Sequence, residues 1–254
     1  LIEETRRLQI GSIAVPPLGC GLGGLDWRKV RPMIERAFAE LPHVRVTLFE
    51  PTGTPAAKAM PVRTKRPKLT LARALLVSLM HRYSEMAYRL TLLEIQKLAY
   101  LLQEAGEPLR LKYVAHLYGP YAHNLNKVLE TLEGHFIRGY GDQQKPDVEI
   151  ELLPEAEEEA NRLLTERSDS IARLERVAAV IEGFETPYGM ELLSSVHWAS
   201  AHGATPATNA DEVVRAVHGW NDRKRAMFRP DHIRVAWKRL HELGWVPATA
   251  KSQG

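Results

Sequence analysis

The hydrophobic and polar positions of the first fifty residues predict a strand, a loop, a helix and a second strand. After a short helical stretch over residues 1–8, a brief apolar run over 10–15, bounded by two prolines, is typical of a buried strand. Asp26 suits the N-cap of the next helix, whose apolar stripe consists of Val30, Ile34, Ala37, Phe38 and Leu41. Residues 44–48 then alternate between apolar and polar, and Phe49 follows, which is typical of a strand over 44–49. This order predicts a parallel β-α-β crossover unit.

A single crossover unit is not expected to form a domain by itself. Its one helix covers one face of the sheet, whereas parallel strands are normally covered on both faces. The chain also lacks a starting Met, and its first residues have the pattern of the middle of a helix. We therefore expect residues 1–51 to be the end of an α/β domain whose earlier part is missing.

The next segment, residues 52–68, predicts an extended basic linker. It is rich in proline and has no apolar periodicity. Residues 51–90 carry eight basic residues and one acidic residue, whereas residues 91–254 carry 19 basic and 24 acidic ones. The basic stretch over 58–73 either contacts DNA phosphates or serves as a solubilising linker.

From residue 69 to residue 254 the pattern predicts a mainly α-helical domain with one small β-hairpin, and the whole chain is thus α/β followed by α+β. Thr91 and Glu94 form a capping box at the start of one helix. Residues 118–121 predict a turn, and residues 135–140 and 148–152 predict the hairpin. The predicted helices cover about 70–88, 91–105, 122–132, 154–167, 169–184, 186–202, 209–220 and 230–244.

The composition excludes several classes of protein. Apolar residues make up 44% of the chain, which suits ordinary globular cores. The single cysteine permits no internal disulfide and favours a reducing, cytoplasmic location. No apolar run approaches the roughly 20 residues of a membrane helix. The close histidine pairs at 116 and 123 and at 197 and 202 lack the spacing of a zinc site, so no metal is expected.

The glycine-rich loop over residues 18–25 is the clearest chemical signal. Four glycines within six residues, followed directly by a helix N-terminus, suit a close approach by an anion. The spacing matches neither a P-loop nor a dinucleotide fingerprint. The glycines alone would also suit a tight turn without a ligand.

The amino-acid sequence of this loop resembles that of a known family. Pro16-Pro-Leu-Gly-Cys-Gly-Leu-Gly-Gly-Leu-Asp-Trp27 is similar to the second ligand loop of macrodomains, in the branch of terminal ADP-ribose glycohydrolase and the DarG antitoxins. The resemblance implies that residues 1–51 are the last β-loop-α-β unit of a macrodomain. It implies ADP-ribose as the ligand of the full-length protein, held at its diphosphate and distal ribose by Gly19, Cys20, Gly21, Leu22, Gly23 and Gly24.

Two departures limit what the resemblance implies for catalysis. Gly23 stands where terminal ADP-ribose glycohydrolases carry an acidic catalytic residue. The catalytic lysine of this branch belongs to an earlier part of the domain. We therefore expect no catalytic residue and no cofactor in this chain, and weak or absent binding of ADP-ribose. The removal of ADP-ribose from thymidine in DNA is implied for the full-length protein only.

The helical domain resembles the C-terminal domain of the DarG antitoxins and, more loosely, the Panacea domain. The resemblance rests on residues 91–106, 118–121, 133–141 and 184–192. It implies a toxin–antitoxin pair in which this domain binds and blocks DarT, a toxin that transfers ADP-ribose from NAD onto thymine in single-stranded DNA. ADP-ribosylated single-stranded DNA is the second implied partner, through the macrodomain.

An acidic segment is the candidate contact with such a toxin. Seven carboxylates fall within residues 147–159, and they suit a positive groove that normally holds single-stranded DNA. A solvated helix that is rich in Glu at its first turn explains the same pattern. Tyr118 and Tyr121 either face the partner or pack on their own domain. The candidate toxin-binding residues are Glu155, Glu157, Glu158, Glu159, Tyr118 and Tyr121.

Three functions remain open from the sequence. The first is an antitoxin that binds and inhibits a DNA ADP-ribosyltransferase, and the second is a DNA ADP-ribosyl glycohydrolase. The third is a DNA-binding autorepressor that would use the basic stretch over residues 58–73.

Overall fold

The computed structural model describes residues 1–20, 24–51, 62, 64–87, 89–141, 145–203 and 207–246. These residues are mostly helical, with three small two-stranded sheets. The chain forms two compact units, Leu1–Ala59 and Met60–Gly254. Most of the predicted linker over 52–68 lies outside the described residues. None of the described helices is long and apolar enough to cross a membrane.

The first unit has the predicted order of elements, which are α1 (Ile2–Arg7), β1 (Ser12–Val15), α2 (Trp27–Phe38) and β2 (Arg45–Leu48). The two strands pair in parallel, with Ser12 opposite Arg45 and Val15 opposite Leu48. The Asp26 carboxylate caps α2 and accepts a hydrogen bond from Arg28 N at 3.0 Å, as predicted. The small core contains Val15, Ile34, Phe38, Leu41 and Val44.

The second unit packs around two deeply buried helices, α4 and α8, which lie against each other. Around them, α6 packs on α3, and α11 packs on α8 and α9. The helices of this unit are α3 (Leu71–Met86), α4 (Leu92–Glu104), α5 (His123–Leu132), α6 (Ala156–Leu164), α7 (Ser168–Ile181), α8 (Pro187–Ala201), α9 (Ala210–Trp220), α10 (Asp222–Met227) and α11 (Pro230–Glu242).

The predicted capping box fixes the start of α4. The buried Glu94 carboxylate accepts hydrogen bonds from Thr91 N and Thr91 Oγ1, each at 2.8 Å, and from the Tyr83 hydroxyl at 2.5 Å. Burial, together with this bond to Glu94, raises the pKa of Tyr83. The next two amides of the helix donate to the carbonyls of Pro146 and Val148. The segment over residues 146–148 is therefore held against this end of α4.

The predicted hairpin is present but short, with β5 (Ile137–Arg138) antiparallel to β6 (Glu151–Leu152). The prediction of a turn over residues 118–121 is wrong in part, because Gly119 and Pro120 begin a strand. That strand, β4 (Gly119–Ala122), pairs with β3 (Tyr113–His116) in a second hairpin.

Tertiary contacts explain why proline and glycine stand in this strand. Pro120 lacks an N–H, but among the described strands β4 pairs only with β3. The Pro120 carbonyl accepts a hydrogen bond from Lys97 Nζ. Gly119 has a φ of +94°, and a Cβ there would lie 2.8 Å from Ser195 Oγ. Helix α10 was also missed, because six residues between two longer helices give little periodicity.

Candidate functional site

The two described ends of the glycine loop require glycine. Gly19 and Gly24 have φ angles of +72° and +64°, and Leu25 N donates to the Gly19 carbonyl at 2.9 Å. A Cβ on Gly19 would lie 2.5 Å from Leu25 Cδ1. Residues 21–23, which include three of the predicted ADP-ribose ligands, lie outside the described residues. The ADP-ribose site therefore stays a prediction.

Two further amide groups, one in the loop and one at the start of α2, already have partners. Cys20 N donates to the Pro17 carbonyl at 3.1 Å, and Arg28 N donates to the Asp26 carboxylate. The hydrogen bond from Arg28 lowers the pKa of Asp26, so this carboxyl stays ionised at the start of α2. A phosphate here would need amides other than these two and that of Leu25.

The acidic residues of α6 are partly neutralised within the chain. Glu157 lies 3.0 Å from His81 Nε2, and Glu158 lies 2.9 Å from Arg162. Arg66, from the predicted basic stretch, donates to Glu159 at 2.7 Å. Glu155 is exposed at the N-cap position. The helix therefore keeps an acidic face, but its field is weaker than the carboxylate count suggests.

The two tyrosines singled out from the sequence line a cleft of about 310 Å³ in the second unit. Helix α4 forms one wall, the β3–β4 hairpin forms the other, and Pro146 lies at the edge. The residues that line the cleft are Leu92, Leu93, Gln96, Lys97, His116, Tyr118, Tyr121, His123 and Pro146. Most of this set was missed, since only Tyr118 and Tyr121 were expected at a functional surface. The acidic helix α6 belongs to a different part of the unit and packs on α3.

Two buried polar side chains of α4 attach the hairpin to this helix. Lys97 is 1% exposed and donates from Nζ to the Pro120 carbonyl at 2.7 Å. Gln96 accepts from Ala122 N at 3.0 Å and donates to the Ala122 carbonyl at 3.2 Å. Burial, reinforced by the positive charge of Lys224, lowers the pKa of Lys97 to about 7.

An ion cluster centred on Glu191 lies behind the hairpin. The Glu191 carboxylate is 1% exposed and accepts two hydrogen bonds from Arg223, at 2.6 and 3.0 Å. It also accepts one from Lys224 Nζ at 2.8 Å, and this amine donates in addition to Ser195 Oγ at 2.9 Å. Two cations thus share one buried carboxylate.

The ion cluster also contacts one of the two tyrosines that line the cleft. The guanidinium of Arg223 lies 4.5 Å from the centre of the Tyr118 ring. The Tyr121 hydroxyl accepts a hydrogen bond from Asn126 Nδ2 at 2.7 Å. Both rings therefore pack on their own domain and also face the cleft. Whether they touch a toxin stays a prediction.

Glu104, His197 and His202 offer ligand atoms within 4.8 Å of one another. Both ring nitrogens of His197 are already engaged, Nδ1 with the Tyr100 hydroxyl at 2.7 Å and Nε2 with the Trp245 carbonyl at 3.2 Å. His202 Nε2 in turn lies 2.9 Å from Glu104. A metal would have to displace one of these contacts, and the absence of a metal site stays a prediction.

Comparison with known proteins places the chain in a family. A relative from Thermus aquaticus, named DNA ADP-ribosyl glycohydrolase, is 42% identical over 245 residues, which are 96% of this chain and 67% of that protein. The chain belongs to the DNA ADP-ribosyl glycohydrolase family. A family member from Mycobacterium tuberculosis with the same name is 36% identical over 257 residues, which cover 94% of this chain and 71% of that protein.

The family likeness extends through both compact units, because a match over 96% of the chain takes in most of each. A shorter match, 41% identical over 51 residues, joins 20% of this chain to 13% of a protein from Thermosipho africanus. That protein is named a DNA ADP-ribosyl transferase-DNA ADP-ribosyl glycohydrolase fusion protein. No protein-family model matches the chain.

Proposed function

We propose that the second unit binds and neutralises a DNA ADP-ribosyltransferase toxin of the DarT type. The observation that carries the proposal is that the family likeness runs through this unit, which has its own large core apart from the glycine loop. The fusion of transferase and glycohydrolase in one relative supports a working partnership between the two kinds of protein.

The acidic face of α6 is the proposed contact with the toxin. A protein that grips single-stranded DNA has a positively charged groove that follows the phosphate backbone. Glu155 and Glu158 are exposed, and Glu157 and Glu159 are half-buried on the same helix. Carboxylates grouped at the N-terminal end of one helix can take the place of phosphates in such a groove.

Replacing Glu155, Glu157, Glu158 and Glu159 with Lys is expected to weaken toxin binding about 100-fold or more. Reversing the charges turns attraction into repulsion, and close charge pairs at interfaces contribute on the order of 1.5–7 kcal/mol each. Isothermal titration calorimetry of the full chain with a purified DarT-type toxin measures the change in dissociation constant.

The matched control makes the same change in charge elsewhere. It replaces four exposed acidic residues outside α6 with Lys, namely Glu40, Glu182, Asp222 and Glu242. This control is expected to bind the toxin as the parent chain does. Equal affinities for the α6 variant and the parent would remove α6 from the interface.

A second candidate function is the removal of ADP-ribose from DNA, which the names of the relatives favour. We propose thymidine as the modified nucleoside. We infer that the first unit is the end of a macrodomain, with the loop over residues 19–24 on the ligand's diphosphate. Its parallel β-loop-α-β order supports this inference. In a mixture of chain, toxin, NAD and thymidine-containing DNA, a stable complex without labelling supports the antitoxin. Labelling that later reverses supports the enzyme.

A further inference from the structure

We propose that the cleft between α4 and the β3–β4 hairpin binds one base of single-stranded DNA. This inference does not rest on toxin binding, since the cleft and the acidic helix α6 are built from different elements. It concerns the second unit alone and adds a DNA contact beyond the glycine loop.

The walls of the cleft suit a flat ring. Leu92, Leu93 and Pro146 provide apolar surface, and aromatic rings face them from the hairpin. The rings of His116 and Tyr121 lie with their centres 5.1 Å apart and their planes inclined by 34°. The volume falls in the range of about 300–1,000 Å³ that is usual for ligand clefts. Stacking on aromatic side chains is how proteins hold the bases of single strands.

A buried amine gives this apolar cleft a polar group. In its charged form Lys97 has three N–H donors, and within the described part of the chain its Nζ has one acceptor, the Pro120 carbonyl. The ring carbonyl of a pyrimidine or guanine base would provide a second acceptor. Gln96, by contrast, already uses both ends of its amide on the hairpin backbone.

The surface beside the cleft suits a sugar-phosphate backbone. A second depression of about 530 Å³ shares Leu93, Tyr118 and Pro146 with the cleft, and it is also lined by Arg89 and Lys145. Both of these cations are exposed. Asp147 lies in the same depression, where the two cations outnumber it. An acidic peptide would use the cations but would leave the stacked rings unused, so a nucleotide fits the whole surface better.

The test is a titration of the full chain with a short fluorescein-labelled oligothymidylate, followed by fluorescence anisotropy at several salt concentrations. Tyr121→Ala is expected to weaken binding about tenfold, as the loss of a stacked base does. It is expected to leave the dependence of the affinity on salt unchanged, since no phosphate contact is lost. Lys97→Met is expected to weaken binding to a similar degree.

Two control variants test whether the tyrosine ring and the neighbouring cations contribute to binding as proposed. Tyr121→Phe keeps the ring and is expected to bind as the parent does, which shows that the hydroxyl and its bond to Asn126 are not the cause. Arg89→Gln with Lys145→Gln removes the two cations beside the cleft and is expected to reduce the dependence of the affinity on salt. Circular dichroism of Tyr121→Ala checks that the variant is folded.

Three results would overturn the proposal. The first is a folded Tyr121→Ala variant that binds the oligothymidylate as tightly as the parent. The second is equal affinity for a duplex of the same length, since a paired base cannot enter the cleft. The third is an oligoglutamate peptide that binds as tightly and with the same dependence on Tyr121. Because no toxin is present, these results are independent of the antitoxin proposal.

Discussion

Replacing Glu191 with Gln is expected to lower the free energy of unfolding by about 4 kcal/mol, since removing one partner of a buried ion pair costs roughly 3–5 kcal/mol. The Glu191 carboxylate is shared by Arg223 and by the fully buried amine of Lys224. Gln keeps a side-chain oxygen that can accept a hydrogen bond but carries no charge, so the buried amine of Lys224 loses its carboxylate counter-ion and keeps its bond to Ser195 Oγ. Urea denaturation followed by circular dichroism at neutral pH measures the loss.

A second substitution separates the ion pair from simple loss of packing. Glu191→Met combined with Lys224→Met removes both buried charges, and this double variant is expected to recover much of the stability lost by Glu191→Gln. Glu182→Gln is the matched control on an exposed carboxylate, and about 0.5 kcal/mol or less is expected there. A loss of under about 1 kcal/mol for Glu191→Gln would show that the cluster contributes little to stability.

Acid is expected to destabilise the second unit through His197. Burial lowers the pKa of this imidazole from 6.5 to about 4, so the unfolded chain takes up its proton at a higher pH than the folded chain does. The stability contribution is therefore complete above pH 6.5 and is lost as the pH falls towards 4. With 1.36 kcal/mol for each pKa unit, the loss amounts to about 3 kcal/mol.

The measurement is the free energy of unfolding of the parent chain and of His197→Gln across this range of pH. The variant is expected to be less stable at neutral pH, because its side chain replaces an imidazole that contacts both Tyr100 and Trp245. Its curve is expected to be flatter between pH 6.5 and 4. His123→Gln, at an exposed position, should follow the parent curve. Parallel curves for parent and His197→Gln would assign the acid sensitivity to other groups.

Residues close to one another in the sequence were sufficient to predict most of the helices. Four helices begin as predicted, after the N-cap residues Asp26, Thr91, Thr186 and Asn209. These starts were predictable because an N-cap interacts with backbone amides only two or three residues further along the chain. The parallel strand pair also followed from a short apolar run and an alternating run on either side of a helix. Such features are settled within a few residues of the chain.

The cleft could not be predicted in the same way, because its parts are distant in the sequence. Lys97, Glu191 and Lys224 come from three different helices, and nothing in the sequence shows that they share one buried cluster. Gly119 and Pro120 resemble turn residues locally, and only the contacts of Gly119 with α8 and of Pro120 with Lys97 make them strand residues. Tyr118 and Tyr121 were predicted as surface contacts only because they are aromatic residues at a predicted turn.

The position of Lys97 couples occupancy of the cleft to the proton concentration of the solution. Near neutral pH only part of the population carries a charge on this amine, since burial lowers its pKa to about 7. A bound acceptor stabilises the charged form, so binding draws a proton from the buffer. The heat released on binding then depends on the ionisation enthalpy of that buffer, and calorimetry in two buffers of equal pH would count the protons taken up.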